Sequence, residues 1–498
     1  MAAKSVLYEE AFFLQKNNSM VPHFLRIQQP ASLLPERSCT TNRGLGRQVR
    51  AVGLLLAAVG SGGAAQAQQA PWQWLVQSAE TRSAVLQRLT TDVAGSVYMT
   101  GRFTGQIRFG TTRLVSQGRS DTFVAKLTAG GQWAWAVAAG GAENDGATDL
   151  TLDNDGNLLV AGSFGGQATF GGRQVTSNGG QDVFVAALTP QGEWRGVLTA
   201  GGPEQDEALA LTIDKQHNVL LGGRFQGEAT FGSHRLHATA GNDGFVARLG
   251  EGGSWSWATQ LGATEQGAVR RMVVDTQGAI VVTGYVGGTG QFGTHPLVSQ
   301  GTHNAFVAKL NGAGAWQWAT GARSESTTYG NALALDEQDR IYVTGSCSGP
   351  TAFGPHQVTS HGGDDTYVAR LSAAGQWQWV TSVQGPALEA GRDLALSALG
   401  TLYVVGSSSP AATCPGTVLA GKGGLDVFLA RLTTEGKWLN VQALGSQGAD
   451  EGTALVLAPN GEALVGGTFS LPEPASEVTP QVFVGRFRFP VTTPHDLQ

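Results

Sequence analysis

The chain has 498 residues, 72 of them glycine and 12 tryptophan, and 14% charged. With 41% of residues hydrophobic it is too apolar for a disordered chain, and a net charge of −6 without a basic run excludes duplex nucleic acid as a partner. Three cysteines, Cys39, Cys347 and Cys414, are too few for a disulfide-framed scaffold.

Residues 1–46 are read as a start assigned too far upstream or as a disordered extension. Residues 47–67 predict a signal peptide: Arg47 and Arg50 precede a short apolar run, and Ala65-Gln66-Ala67 supplies a small-x-small cleavage pattern. The apolar run is too short for a transmembrane anchor. A linker at 68–71 follows, the mature chain being expected to begin near Gln68, in the periplasm or outside the cell.

From residue 72 to 489 one period governs the chain. Glycine falls at 101, 162, 223, 284, 345, 406 and 467, each step being 61 residues. FVAKL at 123 recurs on the same step through FLARL at 428, and the last copy, FVGRF, begins at 483, six residues early. Each unit predicts four strands: a as in ATDLTLD (147–153), b as in NLLVAGSF (157–164), c as in DVFVAAL (182–188) and d as in WAWAV (133–137). Between b and c lies an extra arm carrying Phe-Gly at 109, 170, 231, 292 and 353, with Cys414-Pro415 in the sixth unit. Cys347 and Cys414 stand at core Phe positions and are expected as buried free thiols, a disulfide, which export would permit, being the alternative.

All 12 tryptophans lie on d strands, and one d strand, WQWLV at 72–76, stands alone before the first a strand. A ring explains this: the last unit supplies a, b and c, and residues 72–76 supply d. The prediction is an all-β, seven-bladed β-propeller of four-stranded blades, closed by its N-terminal strand, with a tail at 490–498. Pairing 127 with 132 across the c–d turn places Lys126 opposite Trp133, and likewise Arg248 opposite Trp255, Lys309 opposite Trp316, Arg370 opposite Trp377, Arg431 opposite Trp438 and Arg486 near Trp72. These rungs read as structural; a tryptophan platform for carbohydrate is the sharper alternative.

Taken together, NLLVAGSF, the FG arm, SNGGQDVFVAAL and GQWQWV resemble the bacterial SBBP-type β-propeller repeat family over residues 72–489. That resemblance implies an exported or cell-surface scaffold and no particular reaction. No sorting or anchoring domain is expected after residue 489.

Acids recur in the d→a loops: Glu143, Glu204 and Glu265 at one phase, Asp145, Asp206, Glu389 and Asp450 at another. They are the candidate ligand-binding residues at one channel end, the competing reading being that they cap loops where blades meet. Asp121, Asp182, Asp243, Asp365 and Asp426 at the start of the c strands read as turn residues. Asp153-Asn154-Asp155-Gly156-Asn157 resembles part of a calcium loop but lacks its terminal acid, so an a–b turn is preferred to a single Ca²⁺ site at Asp153 and Asp155. His234, His295 and His356 share a phase in adjacent units, too far apart to ligate one metal, and no other cofactor is expected. HExxH, GxSxG, P-loop and CxxC motifs are missing. The sequence therefore reads as a non-catalytic, monomeric exported scaffold presenting loops to an extracellular protein or glycan. The alternative is a carbohydrate-active or quinone-type redox propeller enzyme using the acidic loops.

Overall fold

The computed structural model describes residues 72–250, 252–471 and 479–489; the segment 1–46, the expected signal peptide and linker, the expected tail and Cys39 lie outside them. Every regular element among the described residues is a β-strand, and the sheets are antiparallel. Short, alternating, β-branched and aromatic segments punctuated by Gly, Asn and Asp leave no run for a helix.

Each unit folds as an a–b–c–d meander. In the first, Ser83–Thr91 pairs with Val97–Thr104, then Asp121–Leu127, then Trp133–Gly141. In units two and three the b and c strands continue into the arm, as in Leu158–Phe170 and Arg173–Leu188. Glu451–Leu457, Ala463–Leu471 and Thr479–Phe487 pair in the same a–b–c order. The strand beside this last c strand is Trp72–Gln77, with Trp72 opposite Phe487 and Gln77 opposite Phe483.

The glycine register has a steric cause. Every a strand carries a β-bulge, between Leu86 and Arg88 in the first unit and at the equivalent point of the other six. The bulge brings the a-strand backbone against the b strand. A Cβ at Gly101 would lie 2.0 Å from the Val85 carbonyl oxygen, and one at Gly345 1.8 Å from that of Tyr329. Only a residue without Cβ fits. The fixed glycine is thus the footprint of the bulge.

The tryptophans have two jobs. The first of a pair lies edge-on to the arm phenylalanine of its own unit, as Trp133 on Phe109 at 4.9 Å and Trp316 on Phe292 at 5.0 Å, while Trp72 lies edge-on to Phe487 at 5.3 Å. The second reaches the next unit's c–d turn: Trp135 packs over Gly192, and its Nε1 donates to Pro190 O at 3.1 Å. Trp74 lies over Gly131 in the same way.

The expected cation rungs are displaced by two residues. Lys126 faces Trp135 and Leu127 faces Trp133, because a bulge sits between Lys126 and Leu127. The same shift puts Arg248 opposite Trp257, Lys309 opposite Trp318, Arg370 opposite Trp379, Arg431 opposite Asn440 and Arg486 opposite Trp74. Arg370 and Arg486 still lie over indole rings, at 5.9 and 5.8 Å from Trp379 and Trp74. Lys126 lies instead over Tyr98, and Lys309 and Arg248 pair with Asp275 and Asp214.

The arms join neighbouring units. The ends of five d strands make antiparallel bridges to the next unit's arm: Gly140 to Thr169, Gly201 to Thr230, Gly262 to Gln291, Arg323 to Ala352 and Gln384 to Thr413. Ala79, just after Trp72–Gln77, bridges Arg108 in the same manner. Backbone pairing between units thus accompanies the extra length of the repeat.

Candidate functional site

A bulge does more than demand a glycine. It breaks the two-residue alternation, so two successive a-strand side chains turn to the same side. Those two positions in each unit build the site.

The first runs Arg88, Asp149, Ala210, Arg271, Ala332, Asp393 and Ala454 on the 61-residue step. Its four charged members come from units one, two, four and six, and they meet. Arg88 Nε donates to Asp149 Oδ1 at 3.1 Å and its NH1 to Asp393 Oδ2 at 2.7 Å. Arg271 approaches the same two carboxylates at 3.4 and 3.6 Å. Backbone amides complete the shell: Leu150 and Leu211 donate to Asp149, Leu394 and Leu455 to Asp393. Burial opposes the Arg88 cation, but Asp393 and Asp149 outweigh it and raise its pKa. Arg271 is lowered by burial and by Arg88, which the two carboxylates only partly offset. Two cations and two anions leave the cluster neutral, as burial requires.

The second position forms the wall of a cavity of about 380 Å³ over this cluster, carrying Gln87, Thr148, Leu209, Arg270, Asn331, Arg392 and Thr453. Val85, Glu207, Arg224, Tyr285 and Glu451 complete the lining, with Arg88 of the cluster at its floor. Arg224 makes a two-point contact with Glu207, NH2 to Oε1 at 2.7 Å and Nε to Oε2 at 3.2 Å, and Arg392 pairs with Glu451 at 2.6 Å. Arg270 has no carboxylate partner among the described residues. Its guanidinium lies 4.9 and 4.8 Å from the rings of Tyr285 and Tyr329, and NH1 donates to Asn331 Oδ1 at 2.7 Å. A second cavity of about 430 Å³ shares Val85, Gln87, Thr148 and Glu207 with the first and extends past Arg102, Arg119 and Asp145.

The acids predicted from the loops do not gather in either cavity. Glu143, Glu204 and Glu265 are exposed, Glu143 lying 3.7 Å from Arg119. Asp145, Asp206, Glu389 and Asp450 are buried, each bound to its own surroundings. Asp145 accepts from Gly141 N at 2.6 Å and Gly165 N at 3.0 Å, Asp206 from Gly202 N at 2.6 Å, Glu389 from Ser409 N at 3.0 Å and Asp450 from Ser470 N at 2.9 Å. Of the seven, Asp145 alone lines either of these two cavities.

Each of these four lies beside the c-strand acid of its own unit. Burial, with Asp121 and Glu143 adding, pushes Asp145 up to about 6, and burial, with Asp182 and Glu204 adding, pushes Asp206 up to about 7. Burial likewise raises Asp121, Asp182 and Asp365 to about 6.

Asp153 spends its carboxylate on its own turn, accepting from Asp155 N at 2.9 Å and Asn157 N at 2.8 Å. No group of three metal-ligating side chains occurs among the described residues. His234 binds the Trp255 carbonyl at 3.1 Å. Cys347 and Cys414 are buried and unbonded to each other, and burial pushes the Cys347 thiol up to about 12.

No family model matches the chain. The regulatory protein FlaEY of Caulobacter vibrioides is 24% identical over 313 residues, 58% of this chain and 32% of its own. The uncharacterized WD repeat-containing protein L264 of Acanthamoeba polyphaga mimivirus is 20% identical over 228 residues, 37% of this chain and 16% of its own. The chain thus spans a third or less of both curated relatives. Among solved structures, a protein of unknown function from Dyadobacter fermentans matches with TM-score 0.38 and 13% identity, over 68% of this chain and 94% of that one. A putative glucose dehydrogenase from Thermus thermophilus matches with TM-score 0.33 and 14% identity, over 68% and 95%. A fungal alcohol oxidase matches with TM-score 0.43 and 12% identity, over 84% and 76%. At these overlaps none of them fixes the architecture or activity of this chain. No helix of the described residues is long and apolar enough to cross a membrane.

Proposed function

We propose that the chain is a seven-bladed β-propeller completed by Trp72–Gln77, exported from the cell, and that it is a non-catalytic binding scaffold of the SBBP-repeat type. The architecture rests on one observation above others. Trp72–Gln77 stands to Thr479–Phe487 as every d strand stands to its c strand, and Trp74 covers Gly131 as Trp135 covers Gly192. The four-charge cluster supports it too, since side chains 305 residues apart meet when the a strands face a common axis. Deleting residues 72–76 should expose both edges and lower the melting temperature of the whole domain in one transition. A truncated protein that melts like the parent refutes the closure.

The scaffold reading rests on how the acids are used. Glu207 and Glu451 in the cavity are paired with arginines, and Asp145, Asp206, Glu389 and Asp450 are occupied by backbone amides. A glycoside hydrolase of the two-carboxylate kind needs two carboxyl groups free at one cavity. A glycan and protein array probed with the chain from residue 68 onward tests the reading; turnover of a bound glycan, with no array partner retained, overturns it.

A further inference from the structure

The cavity over the charge cluster is unbalanced at one place. Arg224 and Arg392 each have a glutamate, whereas Arg270 has only the Asn331 amide oxygen and two tyrosine rings. Arg270 Cζ lies over both rings, which stand at 84° to each other and offer the cation their π faces but no anion. NH1 is used by Asn331; among the described residues no protein acceptor meets Nε or NH2. His303 reinforces the surround, its Nδ1 lying 3.2 Å from Tyr329 Oη and its ring 4.9 Å from that of Tyr285. Burial and the neighbouring Arg392 and Arg224 lower the Arg270 pKa, so the cation is held at a cost that an incoming anion relieves.

We propose that this cavity is a binding site for a small, hydroxylated monocarboxylate of acidic-sugar type, its carboxylate held by the edge of Arg270. The volume of about 380 Å³ falls within the range of small-molecule pockets. One unmatched positive charge fits one negative charge; a phosphate dianion brings a second charge toward Glu207 and Glu451. On the wall, the Gln87 amide and the Thr148 and Thr453 hydroxyl oxygens, whose own protons go to Ala208 O and Leu86 O, offer partners to hydroxyl groups. The proposal rests on the scaffold reading and supplies its ligand class.

Isothermal titration of the full chain with D-glucuronate, D-glucose and inorganic phosphate tests it, with the glucuronate recovered and chromatographed afterwards. Saturable one-to-one binding of glucuronate is expected, at least tenfold tighter than glucose or phosphate, and reduced at least tenfold in Arg270→Gln. The wild-type comparison stands even if that variant misfolds, and its melting curve reports whether it did. No glucuronate binding, equal binding of glucose or phosphate, or an unchanged affinity in a folded Arg270→Gln overturns the proposal. Glucuronate that binds through Arg270 but is recovered chemically changed overturns the non-catalytic reading and leaves the carboxylate site standing. Absence of binding alone leaves the scaffold reading to the array.

Discussion

Replacing Arg88 by methionine is the sharpest test of the buried charges. Arg88 is the closer of the two cations: it contacts Asp149 at 3.1 Å and Asp393 at 2.7 Å, against 3.4 and 3.6 Å for Arg271. Without it, two buried carboxylates share one distant guanidinium. Each keeps two backbone donors, at 2.8 and 2.9 Å for Asp149 and 2.9 and 2.9 Å for Asp393, which hold the carboxylates but add no countercharge. Breaking a buried pair by removing one partner costs about 3–5 kcal/mol. The side chains are buried, so high salt should reduce this loss little. Adding Asp393→Asn to Arg88→Met restores neutrality, with Arg271 facing Asp149. The double variant should therefore be more stable than the sum of the two single losses predicts, by about 0.5–3 kcal/mol. Urea denaturation of the four proteins measures the cycle. If Arg88→Met unfolds within about 0.5 kcal/mol of the parent, as a surface substitution does, the convergence of four units on one buried cluster is wrong.

Between pH 5 and pH 8 the raised acids set the sign of the pH dependence. Asp121, Asp145, Asp182 and Asp365 lie at about 6 and Asp206 at about 7 in the folded protein, above their ordinary 3.8, so the native state binds more protons across this window. Their contribution is fully present below about pH 4 and is lost as pH rises through 6 to 7; the melting temperature should be higher at pH 5 than at pH 8, and Asp206→Asn should flatten the profile. Asp275 and Asp336, held below their ordinary value by Lys309 and Arg340 against the cost of burial, act in the opposite sense and only near pH 4 and below. A flat or rising melting profile from pH 5 to pH 8 contradicts this assignment. Gly192→Ala should destabilise by about 2 kcal/mol or more, since the site has φ +88° and its new Cβ would lie 2.8 Å from Trp135. Gly156→Ala, at φ +80° with nothing nearer than 3.9 Å, should cost only about 1 kcal/mol, and equal losses in chemical denaturation would remove the inter-unit tryptophan contact from the account. Cys347 and Cys414 should resist a thiol reagent in the native protein and react on unfolding, as peptide mapping would reveal.

Much of the fold was legible because a repeat multiplies weak signals. One glycine at one position says little; seven on a 61-residue step locate the b strand of every unit. The displaced WQWLV pointed to the strand it joins for the same reason. Local pairing rules did not give the c–d register, because the bulge after Lys126 and its equivalents moved each cation to the second tryptophan or, for Arg431, to Asn440. Of the site, the sequence drew attention to the loop acids, which the fold keeps in separate units. A signal for the buried charge cluster existed: two Arg and two Asp at one phase of a strand whose other units carry Ala.

Period, strand order and the positions of turns and tryptophans were therefore determined by the sequence alone, because they depend on contacts within one unit or between neighbours. Which charges meet was decided only by the tertiary structure. Arg88 and Asp393 are 305 residues apart, and Arg270 and Arg271 are adjacent, yet the fold joins the first pair and turns the second toward one cavity and its floor. The physical reason is the bulge: it cancels strand alternation at one point in each unit, and packing between units then carries those side chains to a shared interior.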